Sequence, residues 1–295
     1  MITLLSNFSM AGVDALRWPD TDNAFKGVPA DAIVDTWFLM SSPTPILSLV
    51  LFYLYFVLSL GPKLMESRKA FDLKYTMVLY NLYQVVFSSW LCSRLIFSWA
   101  AIKYIYNHAC MPMDRGVNPL VSILNDSTWW YFMSKVVELL DTLFFVLRKK
   151  QNQVTVLHVW HHSNMVLSTW IYLKYIRGEQ AILPGFINSC VHVVMYSYYL
   201  LAAMGPTIQK HLWWKKYITK LQLGQFLTIL CYLSLLVGFD CKVPSGLTAY
   251  IALNTTIFLV LFLNFYRQAY TKKDRKDKKN FCLPEQTQTK PVKAE

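Results

Sequence analysis

The sequence predicts an all-α, multi-pass membrane protein with seven transmembrane helices. Of its 295 residues, 55% are hydrophobic and 16% are charged, whereas soluble domains average about 25% charged residues. The apolar residues fall into seven runs, most of them close to the roughly 20 residues that a helix needs to cross a bilayer. Segments between these runs alternate between rich and poor in basic residues, a pattern typical of chains that cross a membrane repeatedly.

The seven predicted spans follow one another without a soluble domain between them. The first is short for a bilayer, the third to sixth contain polar clusters, and the seventh precedes a polar, basic tail. The spans occupy residues 45–60, 75–93, 127–147, 154–175, 182–204, 217–239 and 248–266. This division predicts a lumenal N-terminal segment (1–44), a seven-helix membrane domain (45–266) and a disordered cytosolic tail (267–295).

The basic residues orient the chain in the membrane. One set of alternating segments, which includes the C-terminal tail, carries 19 Lys and Arg residues, and the other set carries 8. Cytosolic segments are enriched in Lys and Arg, so the first set is predicted to be cytosolic and the N-terminus lumenal. Topology therefore explains most of the formal net charge of +12, and nucleic acid is not expected as a partner.

Two further features fit this orientation. Asn7 begins a glycosylation sequon, Asn7-Phe8-Ser9, on the predicted lumenal side. Cys110 and Cys241 both fall in predicted lumenal loops, where a disulfide could form, although two free thiols explain the sequence equally well. The six cysteines include no CxxC pair, so no zinc module is predicted.

Polar residues inside the spans indicate a functional site. A charged group at a helix centre costs roughly 2.5–3.5 kcal/mol on insertion scales, so such groups are seldom there without a use. In each of four spans, polar residues repeat every three or four positions and therefore share one helical face. The clusters are Lys135, Glu138 and Asp141 in the third span, His158, His161 and His162 in the fourth, Asn188, His192, Met195, Tyr196 and Tyr199 in the fifth, and Thr219, Gln222 and Gln225 in the sixth.

The depths of the four clusters match. At about 1.5 Å per residue from the predicted cytosolic ends, Asp141 and His161 lie about 10 Å deep, and Glu138 about 14 Å. One layer of polar residues predicts a single cavity that opens to the cytosol. Each cluster alone has a structural alternative, such as a Lys135–Glu138 ion pair or glutamines that join helices, but four at matched depth favour a site.

The HxxHH pattern of His158, His161 and His162 suits two kinds of chemistry. Imidazole binds iron and zinc, but a membrane di-iron oxygenase collects about eight histidines, and this chain has six. A neutral imidazole in a low-dielectric cavity can instead attack a thioester as a nucleophile. The count disfavours a di-iron site but leaves a single three-histidine zinc site open. We expect a nucleophilic histidine and no metal, with a metal-dependent membrane desaturase or hydroxylase and a non-catalytic transporter as alternatives.

The motifs resemble those of the fatty acid elongases, the very-long-chain 3-oxoacyl-CoA synthases. Four of them occur in family order: Lys135-xx-Glu138-xx-Asp141-Thr142, His158-xx-His161-His162, His192-xx-Met195-Tyr196-x-Tyr198-Tyr199 and Thr219-xx-Gln222-xx-Gln225. The similarity extends over residues 35–275 or so. Ala70 departs from a proline that is common in the family, in a predicted cytosolic loop.

The resemblance implies an endoplasmic reticulum enzyme that condenses a long-chain acyl-CoA with malonyl-CoA and releases CO2 and CoA. It implies six helices in a barrel around an acyl tunnel, with the seventh helix outside, and no bound cofactor. Carried onto this sequence, His161 would take the acyl group as an acyl-imidazole and His192 would assist the transfer. Implied partners are the bilayer and the reductase, dehydratase and enoyl reductase of the elongation cycle, and a homo-oligomer is left open.

Basic residues at the predicted cytosolic mouth are natural partners for the phosphates of CoA. They are Lys63, Arg148, Lys150, Lys215, Arg267 and Lys273. Each is explained equally well as a determinant of topology. The preferred acyl length depends on the depth of the tunnel and on the side chains that close its lumenal end, neither of which the sequence reveals.

Overall fold

A computed structural model describes residues 30–116, 118 and 120–271 of the chain. The sequon at Asn7, the basic residue Lys273 and most of the predicted tail lie outside the described residues. Every regular element in the described part is helical. The α-helices are α1 (Ala30–Ile33), α2 (Pro43–Tyr55), α3 (Gly61–Glu66), α4 (Lys74–Ile96), α5 (Trp99–His108), α6 (Val121–Leu147), α7 (Val156–Ile171), α8 (Ile182–Ala203), α9 (Pro206–Gln209), α10 (Lys215–Gly238) and α11 (Ser245–Tyr266).

Short 3-10 and π-helical segments connect or extend these helices. The 3-10 segments are Val34–Thr36, Gln151–Gln153 and Glu179–Ala181. The π-helical segments are Phe56–Leu60, Tyr172–Ile176 and Arg267–Thr271, so α2 runs through a π turn into α3. At the end of that turn a Cβ on Gly61 would come within 2.8 Å of the Phe56 carbonyl oxygen and of Val146 Cγ1. Glycine thus allows α3 to approach α6 closely.

Each of the seven predicted spans coincides with a long helix, with boundaries that differ by several residues. By length and apolar composition, four helical stretches of the described part qualify as membrane spans on their own. They are Pro43–Glu66, Glu179–Ala203, Lys215–Gly238 and Ser245–Tyr270. A fifth qualifies if α4 and α5, which are bent by 66° at the break between them, form one broken span. The all-α multi-pass architecture is therefore confirmed, and the count of seven spans stays a prediction.

Helix α5 is an element that the sequence pattern did not predict. The hydroxyl of Ser98 accepts a hydrogen bond from the Ala101 backbone N–H at 3.2 Å and so caps the helix at its first turn. Its ten residues are too few to cross a bilayer. Because of the 66° bend, α5 turns away from the axis of α4 instead of continuing it.

The helices meet at two chemically distinct ends. We call the basic end the one where α3 and α6 end and α4 and α7 begin. There the Phe71 N–H donates to the Leu147 carbonyl at 3.1 Å, and Lys149 Nζ donates to the Glu66 carbonyl at 3.1 Å.

The opposite end holds a covalent link, and we call it the disulfide end. Cys110, which follows α5, is joined by a disulfide to Cys241 in the loop between α10 and α11. The Lys242 N–H also donates to the Cys110 carbonyl at 2.7 Å. At the same end Gln180 Nε2 donates to the Pro244 carbonyl at 3.0 Å, so the start of α8 contacts the start of α11.

Residues before α2 also pack at the disulfide end. Trp170 Nε1 donates to the Leu39 carbonyl at 2.7 Å, and Lys174 Nζ reaches the Met40 carbonyl and the Asp35 carboxylate at 2.7 Å each. Val34 and Met40 are fully buried. The part of the predicted N-terminal segment that the structure describes is thus attached to α7 and its extension.

The disulfide is expected to stabilise the folded chain. It closes a loop of 131 residues, and such crosslinks typically contribute about 2–4 kcal/mol. A reducing agent should lower the Tm of the detergent-solubilised protein, measured by differential scanning fluorimetry. The double variant Cys110→Ser/Cys241→Ser should start from the lower Tm and show no further response to the reducing agent. An equal response of this variant would mean that another pair of thiols is responsible.

Candidate active site

A buried carboxylate on α6 holds two cationic or basic groups together. Glu138 Oε1 lies 2.7 Å from Lys135 Nζ and 3.2 Å from Nδ1 of His192 on α8. Lys135 and Glu138 are each 2% exposed, and His192 is buried. An isolated charge at this depth would be costly, so each charge depends on the other for its burial. Glu138 Oε2 is buried without a hydrogen-bond partner among the described residues.

The amide of Asn188 completes the surroundings of Lys135. Asn188 Oδ1 accepts hydrogen bonds from Lys135 Nζ and from the Tyr131 hydroxyl, each at 2.9 Å. Lys135 Nζ also lies 4.7 Å from the centre of the Tyr131 ring, in a cation–π contact. Tyr131 stands one helical turn before Lys135, so the same face of α6 supplies both groups. Together these contacts set the relative position of α6 and α8.

A second carboxylate lies one turn further along α6, towards the basic end. Asp141 Oδ2 accepts a hydrogen bond from the Tyr196 hydroxyl at 2.7 Å. The ring of Tyr196 contacts His192 on the same helix, with centroids 5.6 Å apart. On the next residue, Thr142, the hydroxyl pairs with the Tyr53 hydroxyl of α2 at 2.7 Å. Helix α6 is thus bonded to α8 on one side and to α2 on the other.

The three histidines of α7 lie side by side. The Thr155 hydroxyl accepts a hydrogen bond from the His158 N–H at 3.2 Å, which starts α7 immediately before them. The ring of His162 is 4.3 Å from that of His158 and 5.2 Å from that of His161. As the sequence predicted, the helical spacing places all three histidines on one side of α7.

The three histidines differ in surroundings. His158 packs against Phe145 of α6, with ring centres 5.1 Å apart, and its Nε2 has no hydrogen-bond partner among the described residues. His161 packs edge-on against Phe258 of α11 at 5.0 Å, and His162 is buried between its neighbours. Only His161 of the three borders the main cavity.

That cavity occupies about 340 Å³ between the helices, within the usual range for ligand pockets. It extends from His161 and Gln225 to residues at the disulfide end of the helices, such as Leu95 and Leu247. Most of its wall is apolar, with contributions from α4, α5, α6, α7, α8, α10 and α11. The arrangement is a long, mostly apolar space with an imidazole near one end.

The predicted residues of α8 and α10 meet near the same place, though few of them face the cavity. Asn188 and Gln225 line it. Gln222 Nε2 contacts Met195 Sδ at 3.4 Å, which connects α10 to α8. Thr219, Met195 and Tyr196 are buried, whereas Tyr199 is 40% exposed and contacts the Tyr196 ring.

The predicted CoA-binding residues that the structure describes lie at the basic end. Lys63, Lys150, Lys215 and Arg267 are exposed. Arg148 is half-buried, and its Nη1 lies 2.9 Å from Met77 Sδ, a contact between α6 and α4. Their role in binding CoA stays a prediction.

Several polar residues of the site were missed by the sequence interpretation. Asn164 Nδ2 donates to Asn254 Oδ1 at 2.9 Å, and the Ser168 hydroxyl pairs with that of Tyr250, so two polar contacts connect α7 to α11 along the cavity wall. Asn164 and Ser168 follow His161 by three and seven residues and so share its face. That spacing identifies Asn164 and Ser168 as candidate site residues from the sequence alone. It does not identify their partners on α11, Asn254 and Tyr250.

Within the described residues, no group of three or more His, Cys, Asp or Glu side chains is arranged to hold a metal ion.

Comparison with known proteins points to one family. The model of the ELO (GNS1/SUR4) family matches residues 38–278. The chain is 42% identical over 262 residues to a very long chain fatty acid elongase of Aedes aegypti, covering 88% of this chain and 73% of that one. It is 44% identical to very long chain fatty acid elongase 7 of Drosophila melanogaster, over 81% and 73% of the two chains. Very long chain fatty acid elongase 4 of Homo sapiens is 42% identical, over 84% and 78%.

The Lys135–Glu138 pair gives a sharp test of the buried network. Glu138→Gln removes the charge that neutralises Lys135, and breaking a buried pair in this way costs about 3–5 kcal/mol. The double variant Lys135→Met/Glu138→Gln leaves no unpaired charge and should recover most of the lost Tm. As a control, Asp240→Asn disrupts an exposed contact with Lys242 and should leave Tm unchanged. A double variant less stable than the single one would show that the two charges do not depend on each other.

Proposed function

Because this chain belongs to the ELO (GNS1/SUR4) family, we propose that it is the condensing enzyme of fatty acid elongation. The relatives are named very long chain fatty acid elongases, which supports a role in fatty acid elongation. The proposed reaction joins a long-chain acyl-CoA to malonyl-CoA and gives a 3-oxoacyl-CoA two carbons longer, with CO2 and CoA. The enzyme would thus be an acyltransferase, a very-long-chain 3-oxoacyl-CoA synthase.

One observation carries the proposal: His161 borders a long cavity whose wall is mostly apolar. An acyl chain that enters this space leaves water, which favours binding by about 0.8 kcal/mol per buried methylene. The carbonyl carbon of that chain then lies at the polar end of the cavity, near the imidazole. A thioester held against a nucleophile in this way is already positioned for attack, so little further loss of translational and rotational freedom is needed for the reaction.

The first step would transfer the acyl group to His161. A ring nitrogen attacks the thioester carbonyl, the carbon–sulfur bond breaks, and CoA leaves as a thiolate. The imidazole loses its remaining N–H proton, and that proton neutralises the thiolate. The product is a neutral acyl-imidazole, which the apolar surroundings protect from hydrolysis.

The second step would form the new carbon–carbon bond. Malonyl-CoA loses its carboxylate as CO2, and the electron pair of the broken bond becomes an enolate of the remaining thioester. The enolate carbon attacks the acyl carbonyl, the bond to His161 breaks, and the imidazole regains a proton. The sum is acyl-CoA, malonyl-CoA and one proton giving 3-oxoacyl-CoA, CO2 and CoA.

The Glu138 network would serve the proton transfers. Its carboxylate holds His192 through Nδ1, which leaves the other ring nitrogen free to exchange a proton with the reacting groups. Lys135 and Asn188 in turn fix the carboxylate and the helix that carries His192. His158 and His162 would complete the polar surroundings of His161.

The basic end would receive the CoA portion of both substrates. CoA carries several phosphate charges, and Lys63, Lys150, Lys215 and Arg267 expose cationic groups there. On this proposal the basic end faces the cytosol, and the disulfide end faces the lumen of the endoplasmic reticulum. The Cys110–Cys241 disulfide supports that orientation, because disulfides persist in the oxidising lumen.

No bound cofactor is needed for the proposed reaction, because decarboxylation supplies the nucleophilic carbon. The ketone product must be reduced, dehydrated and reduced again before another cycle. We therefore propose that a 3-oxoacyl-CoA reductase, a dehydratase and an enoyl reductase act on its product.

Loss of the nucleophile should abolish the reaction. His161→Ala should lower the acyl-CoA-dependent release of labelled CO2 from malonyl-CoA by at least about 10³-fold. The wild type incubated with acyl-CoA alone should gain the mass of one acyl group on the peptide that contains His161, and His192→Ala should acylate more slowly. His211→Ala, at an exposed histidine, is the control and should behave as wild type. Normal activity of His161→Ala would overturn the proposal.

Chelation separates the condensing enzyme from a metal-dependent desaturase. The proposed steps pass through imidazole and carboxylate groups only, so prolonged treatment with EDTA and an iron chelator should leave CO2 release unchanged. A desaturase or hydroxylase would require iron and dioxygen. Activity that disappears on chelation and returns with added iron would favour the metal enzyme.

A further inference from the structure

The end of the cavity furthest from His161 is lined by Arg94, which forms an ion pair with Asp126, a half-buried residue outside the cavity lining. Arg94, near the end of α4, lines the cavity and is 5% exposed. Its Nη2 lies 2.6 Å from Asp126 Oδ2 on α6, and its Nε donates to the Ser127 hydroxyl at 2.9 Å. The guanidinium also lies over the Trp90 ring, 5.1 Å from its centre. The proposed reaction gives these residues no role.

Helix α5 crosses the same end of the cavity. The 66° bend after α4 brings Ala101, in the first turn of α5, to the cavity wall. Ala101 is 6% exposed, so its methyl group faces the interior. Arg94, Ser127 and Ala101 line this end of the cavity. Together with Asp126, the ion-pair partner of Arg94, we call them the cavity floor.

The floor is held in place from outside the cavity. The Tyr104 hydroxyl of α5 donates to the Glu179 carboxylate before α8, and Asn118 Nδ2 donates to the same hydroxyl at 2.9 Å. The disulfide from Cys110 to Cys241 follows two residues after α5 ends. Helix α5 is therefore connected covalently or by hydrogen bonds to the loops before α6, α8 and α11, and a chain pressing on it meets a fixed surface.

The chemistry of the floor opposes the passage of a methylene chain. A chain that advances along the apolar wall gains from the burial of each methylene group. At the floor it would instead have to cover or displace the buried guanidinium of Arg94, and a hydrocarbon cannot replace the hydrogen bond that Arg94 makes with Asp126. The free-energy gain per added methylene group therefore stops when the chain reaches Arg94.

The depth of the cavity sets a length. Counting about 1.5 Å per residue, the cavity wall runs roughly 16 Å along α11 from Phe258, beside His161, to Leu247, and roughly 22 Å along α7 from His161 to Ile176. Leu247 and Ile176 line the cavity at the disulfide end, where Arg94 and Ala101 also line it. An extended chain advances about 1.2 Å per bond, as three backbone bonds span about 3.6 Å. An acyl chain attached to His161 would thus fill the cavity with about 14 to 18 carbons.

We propose that the Arg94–Asp126 ion pair and Ala101 limit the length of the acyl primer to about 14–18 carbons. This inference rests on the proposed function, since it takes His161 as the residue that holds the acyl carbonyl. It assigns the enzyme to long-chain acyl-CoA primers and makes the floor the determinant of the upper limit.

Two substitutions should move the limit in opposite directions. Arg94→Ala/Asp126→Ala removes both charges together and opens space, so the longest primer accepted should increase by about 2–4 carbons. Ala101→Leu fills the floor, so the longest primer should decrease by about 2–4 carbons. The measurement is the release of labelled CO2 from malonyl-CoA by the purified full chain, with saturated acyl-CoA primers of about 12 to 24 carbons.

Lys103→Leu is the matched control, because Lys103 is exposed on the same helix and should keep the wild-type profile. General damage to the fold would lower activity with all primers and would not produce opposite shifts. Wild-type primer profiles in both variants would overturn the floor assignment. If the double variant does not fold, the primer profile of Ala101→Leu alone tests the assignment. A wild type that releases no CO2 with any primer would instead overturn the proposed function.

Discussion

The burial of the Glu138 carboxylate inside a membrane domain is the constraint on which the site depends. One oxygen of this group contacts both Lys135, three residues before it on α6, and His192 on α8. Neither charge of the pair is stable alone in such surroundings. The ion pair lies within α6, so a slip in the register of α8 by one residue would not break it, but would remove the contact of His192 with the paired carboxylate. Asn188, one turn before His192, strengthens the same register because its amide oxygen accepts from Lys135.

Around this fixed pair the molecule separates polar from apolar space along its axis. The carboxylates of α6 and the histidines of α7 lie in the halves of these helices nearer the basic end, and exposed cationic groups lie at that end itself. From His161 to the disulfide end the wall is mostly hydrocarbon. An amphiphilic thioester, with a polyanionic head and an apolar tail, matches both parts at once. The polarity gradient thus orients such a substrate before any specific hydrogen bond is made.

The sequence predicted what depends on local periodicity and missed what depends on packing between distant segments. Repeats of three and four residues placed the α6 carboxylates and the α7 histidines on common faces, and the structure has them there. The same rule would have found Tyr131 and Asn164, one turn from Lys135 and His161. The partners Asn254 and Asp126 could not be found in this way, because their contacts join residues 90 and 32 positions apart. The bend that turns α5 across the cavity involves only Phe97 and Ser98, and no periodic pattern in the sequence predicts it.

The position of the apolar space has a consequence for the chemistry proposed at His161. Water is the natural competitor of the carbon nucleophile, since it would hydrolyse an acyl-imidazole. On the proposed mechanism, an acyl chain in the cavity of about 340 Å³ would itself occupy the space next to the imidazole. A longer chain would fill more of that space, so binding and protection of the intermediate would improve together until the chain reaches the floor. A still longer chain would meet Arg94, which lines the cavity and is paired with Asp126, before its carbonyl reaches His161. Selection of the substrate and exclusion of water would then be two results of filling one cavity.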